Sequence, residues 1–474
     1  MKKIVTLFLA SFSMFSAFAS IDISLTDVTV KKSSVINRVI PFSITVENIG
    51  TETVSMLEVQ WNLPSLNTSI IRDLNILPGE TFTINNLGEF TLKEARKYEF
   101  TVSVISVNGK TDALLSNNVF TQNVHGTSRE AVKKAVAEEA TGTWCGFCPR
   151  GAVYMDLAKE EFGDQFIGIA VHNSDPMENN VYDAAIGSYP GFSGYPSAIL
   201  DRKLLIDPSA LLTQIPNRLD NDPIAEINVY GEYDAVNRLL HVTAVATFLS
   251  DEDELEYRFN VVLTEDGVTG TTSGYNQTNY YSGGGYGPLY GWEDLPYTVP
   301  AADMVYEFVA REIVDGWDGS EESVPAVVTA GQVVSYEYHE IEIDEDWDEN
   351  NINVIVLLTD FDDPKNEIIN ANSAKLTTLI EYVGIQDVSS VNDVDIFPNP
   401  ADEQTFIRVD LNETTEVIMQ ITDMNGKVVL NNNYGILSGD NAINVNTTTL
   451  STGIYIVNIQ AGNQMKTEKL HVTH

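Results

Sequence analysis

Cys145 and Cys148 are the only cysteines among 474 residues, and they share one Cys-x-x-Cys, Trp144-Cys145-Gly146-Phe147-Cys148-Pro149. An exported chain of this length has room for several structural disulfides, so a lone close pair points to chemistry rather than to stapling. Closing a four-residue loop contributes only about 2 kcal/mol in the chain-entropy account, less than a long-range bridge. Exchange with another disulfide needs a thiolate. Ala152, Met155, Ala158 and Phe162 recur at helical spacing just beyond the pair. That sets Cys145 at a helix N-terminus, where unpaired N–H groups and the helix dipole favour thiolate over thiol. Cys148, one turn further in, is the more buried partner and is suited to resolve a mixed disulfide by attacking Cys145. A disulfide that only rests oxidised would use the same two residues, and the sequence leaves that reading open.

Other constellations are weaker. Zinc would need two ligands besides the cysteines, and His125, His172, His241, His339, His471 and His474 are scattered with no His-x₃₋₅-His spacing. Asp344, Asp346, Asp348 and Asn350 place oxygens at alternate positions, as a calcium loop does. The glycine of the sharp turn and the Glu at the twelfth position are missing, so a solvated acidic turn is the preferred reading. Tyr275, Tyr280, Tyr281, Tyr286, Tyr290 and Trp292 crowd a loop from Gly267 to Pro300 around Gly283-Gly284-Gly285. Such a loop stacks on sugars or a protein partner, or simply covers a sheet edge. Neither a dinucleotide-binding glycine fingerprint nor a Gly-x-Ser-x-Gly elbow occurs, and no cofactor is expected.

The elements that must position the cysteines follow from the pattern of apolar residues. A strand from Val132 to Ala140, interrupted by Lys133, Lys134, Glu138 and Glu139, leads into the Cys-x-x-Cys turn and its helix. A buried strand follows at Phe166–Val171, then a helix near Val181–Ala185, a turn at Gly194-Tyr195-Pro196 into another strand, and a closing helix over Ser209–Leu219. On either side the period changes to two. Phe42, Ile44 and Val46, and again Tyr98, Phe100, Val102 and Val104, share faces in a unit spanning 20–124 that fits an immunoglobulin-like sandwich. Leu240 to Phe248, Leu255 to Leu263 and Ile352 to Leu358 alternate likewise in a β-rich segment, 224–376. Residues 377–393 read as a linker, and 394–474 as a last β-unit with an Asn425-Gly426 hairpin signal. The fold class is thus multidomain and mostly β, with one α/β unit at 132–220.

That α/β unit resembles the thioredoxin fold: Trp144-Cys145-Gly146-Phe147-Cys148-Pro149 lies after a strand and before a helix, with Gly194-Tyr195-Pro196 some fifty residues on. The resemblance implies that Pro196 is the cis-proline packed against the disulfide, with Trp144 and Tyr195 in support. The chain departs from thioredoxin in carrying Gly146-Phe147 between its cysteines, which leaves the potential open. The stretch from Val132 to Leu376, including Glu367-Ile368-Ile369-Asn370-Ala371, is similar to a family of Bacteroidota outer-membrane proteins that are surface-exposed and adhesin-like. At the C-terminus, Phe397-Pro398-Asn399-Pro400-Ala401, Ile421-Thr422-Asp423-Met424-Asn425-Gly426-Lys427, Leu450-Ser451-Thr452-Gly453-Ile454-Tyr455-Ile456-Val457 and Lys469-Leu470 resemble the type A sorting domain of the type IX secretion system. This implies that residues 394–474 engage that machinery and are removed, the body being released or attached to the surface.

Composition agrees with export. Lys2 and Lys3, the apolar run Ile4–Phe18 and Ala17-Phe18-Ala19 read as a signal peptide over 1–19, with the mature chain starting near Ser20. No cysteine follows the cleavage site to carry a lipid, and no stretch reaches the length of a spanning helix. With 27 Lys+Arg against 68 Asp+Glu the formal charge is −41, which repels nucleic acid and anionic lipid. Two functions remain: thiol–disulfide exchange on protein substrates, or surface binding by a scaffold whose cysteines do no chemistry.

Overall fold

Apolar alternation resolves into several sheets in the computed structural model, which describes residues 21–380 apart from 64 and 113, and 391–474 apart from 424–426 and 462–463. The expected signal peptide, most of the expected linker and the Asn425-Gly426 turn lie outside the described residues. The chain divides into two units, Met1–Glu381 and Tyr382–His474.

The first unit begins with a two-sheet sandwich. Strands Ile23–Val30, Ile40–Asn48 and Thr81–Phe90 form one sheet. Ser33–Val35, Val119–Thr127, Lys97–Val107, Leu57–Trp61 and Asn67–Ile71 form the other. Phe42, Phe90 and Phe100 meet between the sheets with ring centroids 4.8–6.5 Å apart, burying the faces that the period-two pattern marks.

An eight-stranded sheet holds the rest of the unit together. Its spatial order is Leu204–Ile206, Ser197–Leu200, Ala135–Thr141, Phe166–His172, Val309–Val314, Tyr257–Glu265, Ile352–Asp360, Glu367–Lys375. Ala135–Thr141 runs parallel to Phe166–His172, and the last three strands are antiparallel neighbours. The sheet therefore takes strands from both sides of residues 220–224 without a break. Its middle strands are covered on both faces. Phe259, Val261, Leu263, Val354 and Val356 pack against a three-stranded sheet of Ala225–Asp234, Leu239–Phe248 and Val333–Glu342. Val136, Ile169, Val262 and Ile355 face helix α2 (Asn180–Gly187) through Tyr182 and Ile186. Helices α1 (Pro149–Phe162) and α3 (Leu211–Leu219) close over Ala135, Ala137 and Phe166.

Glu138 and Glu139, which break the pattern of the first α/β strand, are buried. Glu138 is paired with Arg202 at 2.9 Å, and both side chains are shielded from solvent. Tyr182 Oη donates to the same carboxylate at 2.6 Å, while the guanidinium donates to Trp317 O and lies 3.6 Å from that ring's centre. The preceding residue, Asp201, accepts from Val136 N and Arg218 Nε.

In the second unit, strands Val391–Phe397, Gln404–Asp423, Gly453–Ala461 and Gln464–Val472 lie side by side, with Val428–Asn446 paired to Gln404–Asp423. Asn399 clips the last strand, donating to Lys469 O and accepting from His471 N.

Removing one partner of a buried ion pair strands the other charge. Arg202→Met is expected to lower unfolding stability by about 3–5 kcal/mol in denaturant titration, and Glu138→Gln with Arg202→Met to recover part of that loss. A single-variant loss below about 1 kcal/mol would show that the pair does not tie these layers together.

Candidate functional site

The site is assembled where the strand Ala135–Thr141 ends and α1 begins. Cys145 and Cys148 are joined as a disulfide, their Cα atoms 5.4 Å apart. α1 starts at Pro149, whose missing N–H suits a first helical position, so Cys148 caps the helix rather than lying one turn inside it, and Cys145 lies in the turn before the helix rather than at its N-terminus. Cys148 O accepts from Gly151 N at 2.8 Å. Both cysteines are buried, 5% and 2% exposed.

The turn before the disulfide is fixed by a carboxylate. Asp175 Oδ2 accepts from Thr143 N at 2.9 Å and lies 2.7 Å from His172 Nδ1. Trp144 donates through Nε1 to Asn173 O at 2.7 Å, leaving its ring half exposed with its edge toward Tyr195, centroids 5.4 Å apart. Tyr195 Oη donates to Asp183 of α2. The Tyr195–Pro196 bond is cis, and Pro196 is buried. The ring contact thus brings the Tyr195-Pro196 turn beside Trp144.

The tyrosine-rich loop lies on the cysteine turn. Gln277 Nε2 donates to Cys145 O at 3.0 Å, Thr278 N to Thr143 O at 2.8 Å, and Tyr280 N to Gly146 O at 2.9 Å. Phe147 points into the loop and meets the rings of Tyr280, Tyr281 and Tyr286 edge-on at 5.0–6.1 Å. A Cβ on Gly146 would come 2.3 Å from the Tyr280 ring, so the glycine is what lets the loop approach.

On the inner side, Cys148 shares a cavity of about 120 Å³ with Glu139, His172, Asp156 and Glu307. Glu139 is 2% exposed, and its Oε1 has no hydrogen-bond partner. Burial pushes its carboxyl well above the usual carboxylate range, so the group is held protonated. A Cβ on Gly151 would fall on Glu139 Oε1, so only glycine leaves the acid its place. Partial burial, aided by the charge of Glu307, pushes Asp156 up to about 6.

The Cys-x-x-Cys motif leaves His172, Asp175 and Gln277 unmarked. Glu139 does leave a trace in the sequence, as one of two adjacent acids inside a mostly apolar strand. Asp344, Asp346 and Asp348 line a different depression, with Glu265 and Arg311. There Asp344 and Asp348 accept from the backbone N–H of Asp346 and Asn350. Among the described residues no group of three or more His, Cys, Asp or Glu is gathered closely enough to hold a metal ion.

Comparison with known proteins finds two families. Residues 395–473 match the secretion system C-terminal sorting domain, and residues 183–378 match outer membrane protein Omp28. The chain is accordingly secreted or held at the outer-membrane surface, and its C-terminal unit is the part that engages the secretion machinery. No helix among the described residues is long and apolar enough to cross a membrane. No curated protein sequence matches. Among solved structures, HBP35 of Porphyromonas gingivalis is similar over 73% of this chain and 100% of its own, at 17% identity and a TM-score of 0.42. A crystal structure from Agrobacterium tumefaciens covers 52% and 96% respectively, at 13% identity and a TM-score of 0.31. The CARDB domain of a Pyrococcus furiosus protein covers 24% and 100%, at 18% identity and a TM-score of 0.20.

Two predictions follow from the geometry. Because the folded chain keeps the Glu139 proton where the unfolded chain loses it, the contribution of this group to stability is intact below about pH 4.5 and erodes as pH rises toward the raised folded value, by about 1.4 kcal/mol per unit. Glu139→Gln, neutral throughout, should therefore unfold at higher denaturant than wild type at pH 8 and at nearly the same concentration at pH 4. An equal difference at both values would contradict the assignment. Gly146→Ala should push Tyr280 outward and speed reduction of the disulfide by a water-soluble phosphine several-fold, whereas an unchanged rate would mean that the ring does not shield it.

Proposed function

We propose that this chain is an exported thiol–disulfide exchange protein in which a thioredoxin-like unit, residues 132–220, carries Cys145 as the reacting cysteine and Cys148 as the resolving one. Pro196 shapes the groove beside them, and Trp144 and Tyr195 support it. An immunoglobulin-like sandwich over 20–124 precedes this unit and a β-rich segment over 224–376 follows. Beyond a linker at 377–393, the sorting domain at 394–474 delivers the protein and is then removed.

The observation that carries this reading is the cavity shared by Cys148 and Glu139. A resting structural disulfide has no use for a proton-holding acid kept dry beside it at a cost in stability. In exchange the acid has a task. A substrate thiolate attacks Cys145 Sγ, the Cys145–Cys148 bond breaks, and the electron pair leaves on Cys148, which takes the Glu139 proton. A second substrate thiolate then attacks its own sulfur in the mixed disulfide and releases Cys145 as thiolate. The substrate leaves oxidised and the chain reduced, and the reverse sequence oxidises the chain. The backbone N–H groups at the start of α1, which Cys148 caps, favour the negative charge that Cys148 carries as it leaves.

Occlusion supports the second reading, a surface binding protein with an inert disulfide. Both cysteines are almost covered, while Tyr286 and Tyr290 of the loop stand in solvent, 65% and 70% exposed. Equilibration of the mature protein in glutathione buffers, with alkylation and mass readout, separates the two. A reduction potential between about −120 and −230 mV is expected for an exchange catalyst. A value below about −300 mV, or no reaction in the folded state, would leave the binding protein.

A further inference from the structure

The loop that covers the cysteine turn also builds a surface around it. Trp144, the residue before Cys145, stands edge to face with Tyr195. Against Gly146, the residue after Cys145, lies Tyr280, which stacks on Tyr297 with centroids 5.7 Å apart and is linked through Phe147 to Tyr286. Trp144, Tyr280, Tyr286 and Tyr297 are 48%, 39%, 65% and 58% exposed, and the three tyrosines are joined through ring contacts rather than standing singly. Residues 273–300 contain no Lys or Arg and carry Glu293 and Asp294. The cation near the site, Arg150, is already held by Asp207 at 2.7 Å.

We propose that these rings form a docking platform, flanking the disulfide, for extended polypeptide segments whose cysteine lies between aromatic or large apolar side chains. This deepens the exchange reading and rests on it. The two strips are carried by the residues on either side of Cys145 in the chain, Trp144 and Gly146, so a ligand that spans both lies at the cysteine turn, which selects a chain bearing a thiol or disulfide over a sugar. The rings reward apolar and aromatic neighbours of that cysteine through area and edge-to-face contact, and the missing cations and surrounding acids penalise acidic ones. The near-complete burial of Cys145 adds selectivity, because a ligand without flanking contacts has nothing with which to hold itself against so small an opening. Each ring contact of this kind is worth a few-fold in affinity, so two or three together separate a preferred segment from an indifferent one by tens.

The test uses the oxidised mature protein and ten-residue peptides with one central cysteine flanked by two Phe, two Ser or two Asp, with glutathione as the small reference thiol. The Phe peptide should react at least about tenfold faster than the Ser peptide and faster still than the Asp peptide. In Tyr286→Ala and Tyr297→Ala the ratio of Phe-peptide to glutathione rate should fall about fivefold. Equal rates for Phe and Ser peptides, or a ratio unmoved by either substitution, would overturn the platform. If neither glutathione nor the Phe peptide reacts, the exchange reading falls, and titration with a Phe peptide carrying Ser for Cys decides the platform alone. Binding that weakens about fivefold in Tyr286→Ala upholds it, and no binding overturns it.

Discussion

Everything about the site depends on a charge that the chain buries on purpose. Glu138 and Arg202 sit in the eight-stranded sheet and the turn beside it with no access to water, where an uncompensated ion would cost several kcal/mol. The cost is offset by further partners on other layers: Tyr182 on α2, and the carbonyl and ring of Trp317 from the β-rich segment. Apolar contacts alone would let the helical layer slide over the sheet. A bidentate, ring-stacked guanidinium fixes the register. The neighbouring Asp201 ties α3 into the same node. The strand that ends at the cysteine turn is therefore located from both faces.

That rigidity makes the position of Glu139 possible. Adjacent residues on a strand point to opposite faces, so once Glu138 is committed to Arg202, Glu139 must face α1 and Cys148. There Gly151 leaves it room. One acid is paired with a guanidinium, while its neighbour has an oxygen without a hydrogen-bond partner and a carboxyl that burial raises well above the usual carboxylate range. The same side-chain type in consecutive positions thus meets a guanidinium on one face and a cavity beside Cys148 on the other, and the difference is made by what each face provides rather than by the residues.

How much of this could be read beforehand follows the sequence distance of each contact. The alternation in Leu240–Phe248, Leu255–Leu263 and Ile352–Leu358 marks positions that all enter one core, because a period of two is imposed locally by the pleat. The helix after Cys148 and the order of strands around it were legible for the same reason. What was hidden is long-range. Val262, Ile355 and Leu357 are buried on the opposite face, and nothing in a strand's own pattern says that α2 will cover it. The interruption by Glu138 and Glu139 reads as weakness in a strand until Arg202, more than sixty residues away, is brought opposite. The tyrosine loop was visible by composition, but its landing on Gly146 and Phe147 depends on Gln277 and Tyr280 reaching backbone carbonyls more than 130 residues upstream.

Under the proposed exchange function, the loop decides which partners reach the pair. A Cys-x-x-Cys at the head of a helix is reactive towards any thiolate that reaches it, which suits a chain working in a reducing pool but is a hazard on a cell surface, where every passing thiol is a competitor. On that proposal, covering the turn with Gln277, Thr278 and Tyr280 leaves the chemistry of Cys145 and Cys148 untouched while restricting access to partners that bring their own contacts. Because the cover is held largely by backbone carbonyls rather than by charges, its grip is insensitive to the salt and pH that vary outside a cell. Only Gly between the first cysteine and Phe147 permits so close a cover, so the departure from the Gly-Pro pair of thioredoxin is the sequence feature on which this restriction turns.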